Sequence, residues 1–212
     1  MADRAASPLH CLPILNIFWM IYAPDKFRNK LVVITGPSVS GKDAVANELI
    51  KWLPLKRVIH TTDRLPRPGE RRGVDYHFVS RERFKELIKN DLLLEYNEFD
   101  GQYYGTLAKD LRRAVREGLV PLLRIDPLAA LRIQRQHPGA LVIFIKPESL
   151  QIIKKRLMER GDSLEHIERR LRLAKEAMER EPVFAYSIIN RDGHLADTVL
   201  TVKQIVRRYL GL

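Results

Sequence analysis

Short apolar runs alternate with amphipathic stretches from residue 31 onward. LVVIT (31–35), KRVIH (56–60), LVPLLRI (119–125), ALVIFI (140–145) and YSIIN (186–190) read as strands. Between most of them lie patterns of helical period: DAVANELIKWL, TLAKDLRRAVREG, PLAALRIQRQ and a charged stretch from Glu148 to Arg180. HLADTVLTVKQIVRRYL closes the chain in the same way. Apolar strands separated by helices predict an α/β fold, with a parallel sheet flanked by helices on both faces.

Two segments break this rhythm. Residues 61–106 are rich in turn formers and aromatics, with a helix expected from Ser80, and read as a small subdomain inserted into the α/β core. Residues 154–180 form a charged helical pair joined near Gly161, the pattern of a helical lid. The start of the chain also stands apart. MADRAASP is polar, and LHCLPILNIFWMIYA is apolar but interrupted by Pro13 and Asn16, shorter than the roughly 20 apolar residues that span a bilayer. The apolar run follows Arg4 as in a signal peptide, yet no small-residue cleavage site follows it. Residues 1–30 are therefore expected to be an N-terminal extension of unassigned role, or the result of a start placed ahead of Met20.

Composition adds a charge bias. The 37 Lys and Arg against 26 Asp and Glu give a formal +11, spread along the chain, which suits phosphate-bearing substrates or nucleic acid. The single Cys11 excludes an internal disulfide framework and fits a reducing, cytoplasmic setting. His77, His137, His166 and His194 show no metal-ligand spacing.

The strongest motif is GPSVSGKD: Gly36, Pro37, Ser38, Val39, Ser40, Gly41, Lys42 and Asp43. With a strand before it and a helix after it, this is the setting of a P-loop, G-x-x-x-x-G-K-[ST]. The glycines let backbone N–H groups and the helix N-terminus face an anion, and Lys42 adds a point charge for the β- and γ-phosphates. Asp43 replaces the usual hydroxyl. A carboxylate is an oxygen ligand that Mg²⁺ accepts, so Asp43 is the candidate metal residue, with Mg²⁺ accompanying ATP. Its charge would repel the phosphates, so ATP affinity is expected to depend steeply on Mg²⁺, with Lys42 and the lid arginines as further offsets.

A second motif, TTDRLPRPGE followed by GVDYHF, places Arg64 and Arg67 in the same excursion as Tyr76 and Tyr104. Arginine holds a phosphate bidentately and tyrosine adds a neutral donor. Two facing phosphate sites mean transfer between a nucleotide and a second phosphate ester. The chain here resembles the guanylate kinase family from about residue 31 to 212. The likeness is carried by the P-loop, R-x-P-R-x-G-E at Arg64–Glu70, DYHF at 75–78, LLEY at 93–96, G-x-Y-Y-G-T at 101–106, ID at 125–126, RLMERG at 156–161, ERRL at 168–171 and IIN at 188–190.

That resemblance implies a P-loop nucleoside monophosphate kinase converting ATP and GMP to ADP and GDP. It implies GMP-phosphate contacts from Arg64, Arg67, Tyr76 and Tyr104, with Glu70 in the same segment. Glu95, Thr106 and Asp126 are implied around guanine, with His60 where a small hydroxyl residue is expected. Arg156, Arg160 and Arg170 are implied on the ATP phosphates and Asn190 near adenine. One carboxylate, Glu95, can accept both guanine N1–H and the N2 amine, a donor pair adenine lacks. The acceptor phosphate is already anionic, so no general base is required.

The chain departs from the family pattern at Asp43, at Val39 (usually glycine), at His60, and at Asp63 (usually threonine). Arg124 stands where an acid is common two residues before Asp126, Ala129 replaces a glycine, and the lid is one residue shorter after Gly161. Two same-fold alternatives stay open on these grounds: a kinase for another acceptor, such as the ribose bisphosphate kinases whose P-loops can read GKD, and a guanylate kinase-like binding domain without ATP chemistry. Nucleic-acid binding is a third reading of the charge, without a recognition helix to carry it.

Overall fold

The computed structural model describes residues 25–212; most of the expected extension 1–30 lies outside the described residues. The chain forms two compact units, one containing residues 58–121 and the other residues 30–57 and 122–212.

The larger unit is organised by a five-stranded sheet in the order β2-β7-β1-β8-β9, with β2 at Leu55–Arg57, β7 at Val120–Arg124, β1 at Val32–Thr35, β8 at Leu141–Pro147 and β9 at Tyr186–Asn190. β1 pairs in parallel with β7 and β8, and β8 in parallel with β9. Every residue of β1 is buried, and β8 is nearly so, because helices cover a parallel sheet on both faces. Helix α1 (Lys42–Trp52) leaves the P-loop directly. Two further helices, α5 (Leu150–Glu159) and α6 (Leu164–Glu179), enclose a small core of Ile153, Leu157, Ile167 and Ala174 against which Val39 packs. They break at Gly161 as the sequence predicts, with φ of 81° there and Ser163 Oγ accepting from His166 N to start the second helix. The C-terminal helix α7 (Leu195–Leu210) is tied to the sheet by Tyr209, whose hydroxyl accepts from Leu31 N and donates to Gly139 O.

The smaller unit holds a four-stranded sheet in the order β4-β3-β6-β5, with β4 at Tyr76–Phe78, β3 at His60–Thr62, β6 at Gln102–Leu107 and β5 at Leu93–Phe99. β5 and β6 form a hairpin whose turn residues Asp100 and Gly101 both have positive φ, 57° and 73°, as a two-residue loop of this hand demands. One face is covered by helix α2 (Arg81–Lys89), capped by Ser80, which buries Phe84 and Leu87 against Leu93 and Leu107. Gly105 makes that approach possible: a Cβ there would lie 2.9 Å from Glu95 O and 3.1 Å from the Phe84 ring.

Two expectations are corrected. KRVIH is not one strand. The chain passes from one unit to the other at residue 58, so Leu55–Arg57 joins the larger sheet and His60–Thr62 the smaller one. The excursion also outruns the expected 61–106, since the smaller unit continues through helix α3 (Ala108–Arg116), whose Ala108, Leu111, Ala114 and Val115 are buried.

Asp63, one of the departures from the family pattern, locks the smaller sheet to its helix. Its side chain is 1% exposed; Oδ1 accepts from Tyr103 N at 2.7 Å and Oδ2 from Arg81 Nη1 at 3.2 Å. Arg81 in turn lies over the Tyr103 ring at 4.5 Å. Asp63→Ala orphans a backbone donor, and thermal or urea unfolding is expected to show a loss of about 1–3 kcal/mol. Asp63→Asn keeps an acceptor for Tyr103 N and should recover most of that loss.

Candidate active site

The P-loop takes its shape from close backbone approach. Gly36 has φ of 139° and Gly41 φ of 92°. A Cβ on Gly36 would sit 2.0 Å from the Ile145 carbonyl oxygen, and one on Gly41 2.1 Å from Asn190 Nδ2. Thr35 Oγ1 donates to Ile125 O at 2.9 Å and fixes the end of β1 where the loop begins. Ser40 is fully buried, and its hydroxyl has no partner among the described residues. Lys42 folds back, donating from Nζ to Pro37 O at 3.0 Å. Burial pulls the Lys42 ammonium below its usual range, with Asp43 and Asp126 opposing that shift and Arg124 and Arg170 adding to it.

Val39 is the strained member of the loop. Its φ is 52°, a left-handed conformation that a β-branched side chain rarely adopts. Two contacts hold it there: packing against Leu157 and its neighbours, and the Val39 carbonyl, which accepts from Arg156 Nη1 at 3.0 Å.

The lid residues have partners within the same unit. Arg156 Nη2 donates to Asp192 Oδ1 at 3.0 Å, so this arginine braces the loop from the side. Arg160 Nε donates to Asp162 Oδ2 at 2.6 Å. Arg170 is buried and donates to His166 Nε2 at 3.1 Å, yet its charge is felt at Lys42. Asp192, Asp162 and His166 were not singled out in the sequence. Asp162 and His166 lie two and four residues from the arginines they meet, whereas Asp192 reaches Arg156 from 36 residues away.

Two implied ligands have structural partners within the larger unit. Asn190, expected near adenine, is buried at 3% exposure; Nδ2 donates to Ser40 O at 2.9 Å and Oδ1 accepts from Thr198 Oγ1 at 3.0 Å. It is a support beneath the P-loop. Asp126, expected at guanine, caps helix α4 (Pro127–Gln136), with Oδ1 accepting from Leu128 N and Ala129 N. It belongs to the larger unit, while the other implied guanine contacts, His60, Glu95 and Thr106, belong to the smaller one.

In the smaller unit the sheet register assembles the rest. Tyr76, His60, Thr106 and Glu95 are successive cross-strand partners across β4, β3, β6 and β5. The next row on the same face runs Phe78, Thr62, Tyr104 and Asn97. Glu95 is buried; Thr106 Oγ1 donates to its Oε1 at 2.5 Å and His60 Nε2 lies 4.0 Å from the same oxygen. Arg64 crosses the Tyr76 and Phe78 rings at 5.4 and 5.7 Å, and Tyr76 meets Tyr104 edge-on at 6.2 Å. Glu70 accepts from Arg64 Nη2 through both oxygens, at 2.8 and 2.9 Å, and from Arg67 N at 2.7 Å. Burial alone would raise the Glu70 carboxyl, but these donors hold it below its ordinary value. Glu70 therefore orients the Arg64 side chain and fixes the backbone at Arg67.

A family model for guanylate kinase matches residues 28–209, spanning both units. The chain belongs to the guanylate kinase family. It is 41% identical over 164 residues to a guanylate kinase of Thermus thermophilus, covering 77% of this chain and 74% of the relative. A Synechococcus guanylate kinase is 39% identical over 169 residues, covering 79% and 78%. The crystal structure of guanylate kinase from Anaplasma phagocytophilum superposes with a TM-score of 0.70 at 28% identity, covering 84% of each chain. Membership makes the chain a nucleotide-binding kinase with an α/β fold, and the same-fold alternatives lose their ground. Asn190 supports the loop through the Ser40 carbonyl. Asn190→Ala should lower stability by about 1–3 kcal/mol and raise the KM for ATP while leaving that for GMP in place. A variant that loses ATP affinity at unchanged stability would mean that Asn190 serves the nucleotide directly.

Proposed function

We propose that the chain transfers the γ-phosphoryl group of ATP to GMP, giving ADP and GDP. The observation that carries this reading is the cross-strand row Tyr76–His60–Thr106–Glu95 with Arg64 lying over its end. It sets a fixed carboxylate and a cation at the two ends of a polar sheet face, the complement of a guanine edge and a phosphate. Thr106 orients the Glu95 carboxylate to accept guanine N1–H and the N2 amine. Adenine would leave that carboxylate poorly satisfied. Arg64, Arg67, Tyr76 and Tyr104 receive the GMP phosphate, with Glu70 keeping the arginines in place.

On the donor side the loop Gly36–Asp43 receives the ATP phosphates through backbone N–H groups and Lys42. An oxygen of the GMP phosphate bonds to the γ-phosphorus as the bond to the β–γ bridging oxygen breaks, and the electron pair leaves on ADP. The attacking oxygen needs no base, because a phosphate monoester loses its second proton near pH 6. Charge on the moving group is stabilised by Lys42 together with Arg160 and Arg170 from the lid helices, once Arg160 exchanges Asp162 for phosphate.

Mg²⁺ accompanying ATP would supply charge neutralisation on its phosphates. The chain fits a direct bond to that ion poorly. The expected ligand Asp43 is engaged by Arg124, Nη1 to Oδ1 at 2.7 Å, and no group of three or more His, Cys, Asp or Glu side chains gathers among the described residues. Arg124 thereby joins Lys42 and the lid arginines among the offsets to the Asp43 charge. No helix among the described residues is long and apolar enough to cross a membrane. With ATP and GMP as its partners and no specific nucleic acid, the cytoplasm is the compartment we assign.

Steady-state kinetics with GMP and AMP test the reading. Glu95→Gln should cost GMP about 1–3 kcal/mol in kcat/KM, the order of an unmade buried contact, and change AMP use far less. Equal losses for both acceptors would remove Glu95 as the base reader. Arg64→Ala and Arg67→Ala should each raise the KM for GMP and lower kcat, with lysine restoring only part because bidentate geometry is lost. Full activity in both alanine variants would place the acceptor site elsewhere.

A further inference from the structure

Arg124 is the last residue of β7, and its backbone pairs with Ile34 of β1, level with the entry to the P-loop. Its side chain is 11% exposed and reaches Asp43, the second residue of helix α1, with Nη1 2.7 Å from Oδ1. The carboxylate itself is 60% exposed at the mouth of the loop. Asp43 and Arg124 are thus bonded to each other, and the pair sums to zero charge.

The surroundings push the same way. Around Lys42 and Asp43 the influential charges are the cations Arg124, Arg57 and Arg170 against the single further anion Asp126. A dication seated on Asp43 would have to displace a guanidinium from Oδ1 or sit beside it, and both are unfavourable. A tetra-anion without metal meets a neutralised carboxylate and an excess of fixed positive charge.

We propose that Arg124 is a specificity-determining cation of the nucleotide site: the Asp43–Arg124 pair does at the P-loop part of what magnesium does elsewhere, so that ATP binds with little dependence on Mg²⁺. Free and magnesium-bound nucleotide are then accepted at similar affinity, and the metal's remaining contribution falls on the transfer step. This rests on the reading of Gly36–Asp43 as the ATP site.

Calorimetric titration of the full chain with ATP, in EDTA and in excess Mg²⁺ at matched ionic strength, reads it directly. In the wild type the two Kd values should agree within about tenfold, a modest electrostatic difference for a site that carries its own cation. Arg124→Gln should weaken metal-free ATP by about tenfold or more and magnesium-bound ATP much less, because Asp43 is left uncompensated against the phosphates. Arg124→Lys should restore most of the metal-free affinity. Asp43→Asn, which frees the guanidinium, should shift metal-free ATP the opposite way, toward tighter binding, and it keeps the test decisive if Arg124→Gln does not fold. A GMP titration of each variant reports an intact acceptor half. A wild type that needs Mg²⁺ for measurable ATP binding, or a metal dependence unmoved by both Arg124→Gln and Asp43→Asn, overturns the proposal. Absence of ATP binding in either condition, with GMP still bound, overturns the ATP-site reading itself.

Discussion

The close approach of Gly41 to Asn190 is the constraint on which the donor half depends. A P-loop works because its backbone N–H groups point inward at an anion, and that requires a curl no side chain would tolerate at its tightest points. Asn190 presses from beneath with its amide on the Ser40 carbonyl, and Thr198 holds the other end of that amide. The loop is therefore shaped by the last strand and the C-terminal helix, far along the chain. Gly36 is constrained the same way by the Ile145 carbonyl of β8. Strand order carries the consequence: β1 lies beside β8, and β8 beside β9, so both supports reach the loop from neighbouring strands.

The acceptor half solves a different problem, the placing of a carboxylate and two arginines without letting them neutralise each other. The sheet does this by register. Glu95 lies at one end of a cross-strand row and Tyr76, beneath Arg64, at the other. Cross-strand partners share a face, so two rows put Glu95, Thr106, His60, Tyr76, Tyr104 and Phe78 on one side. The alternate residues Tyr103 and Gly105 turn toward Phe84 and the covering helix. A slip of one residue in β6 would bury Tyr104 against that helix and expose Tyr103 in its place.

Much of this was legible in the sequence, and the limits follow a physical line. YSIIN and PLAALRIQRQ match a strand and a helix to the residue, because apolar period and an Asp-Pro start are local signals. The P-loop was legible for the same reason. KRVIH was misread because so short a run carries no local mark that the chain changes units inside it. The partners that Asn190, Asp126 and Glu70 meet within the chain were hidden for a related reason. Motif position says that a polar residue is near a site, but only its partners decide whether it meets the ligand or the loop. Asp192 left no trace, since an acid that steadies an arginine distant in sequence looks like any surface acid.

That last class explains how a chain with a formal +11 builds an orderly anion site. Arginines clustered for phosphate repel one another when no phosphate is bound, and each has many rotamers to lose. Here the acids dispersed among them set their positions. Glu70 holds Arg64, Asp192 holds Arg156, Asp162 holds Arg160 and Asp43 holds Arg124. The pairs differ in what they leave available. Glu70 grips one guanidinium nitrogen of Arg64 with both oxygens, which fixes the plane of the fork while the cation stays over the tyrosine. Asp43 stands at the mouth of the loop itself, so its pairing with Arg124 sets the charge that the incoming phosphates meet. An exposed ion pair contributes little to stability, so the pairs retained within each unit are better explained by placement than by folding. The acids make the positive charge directional, and direction is what phosphoryl transfer requires of it.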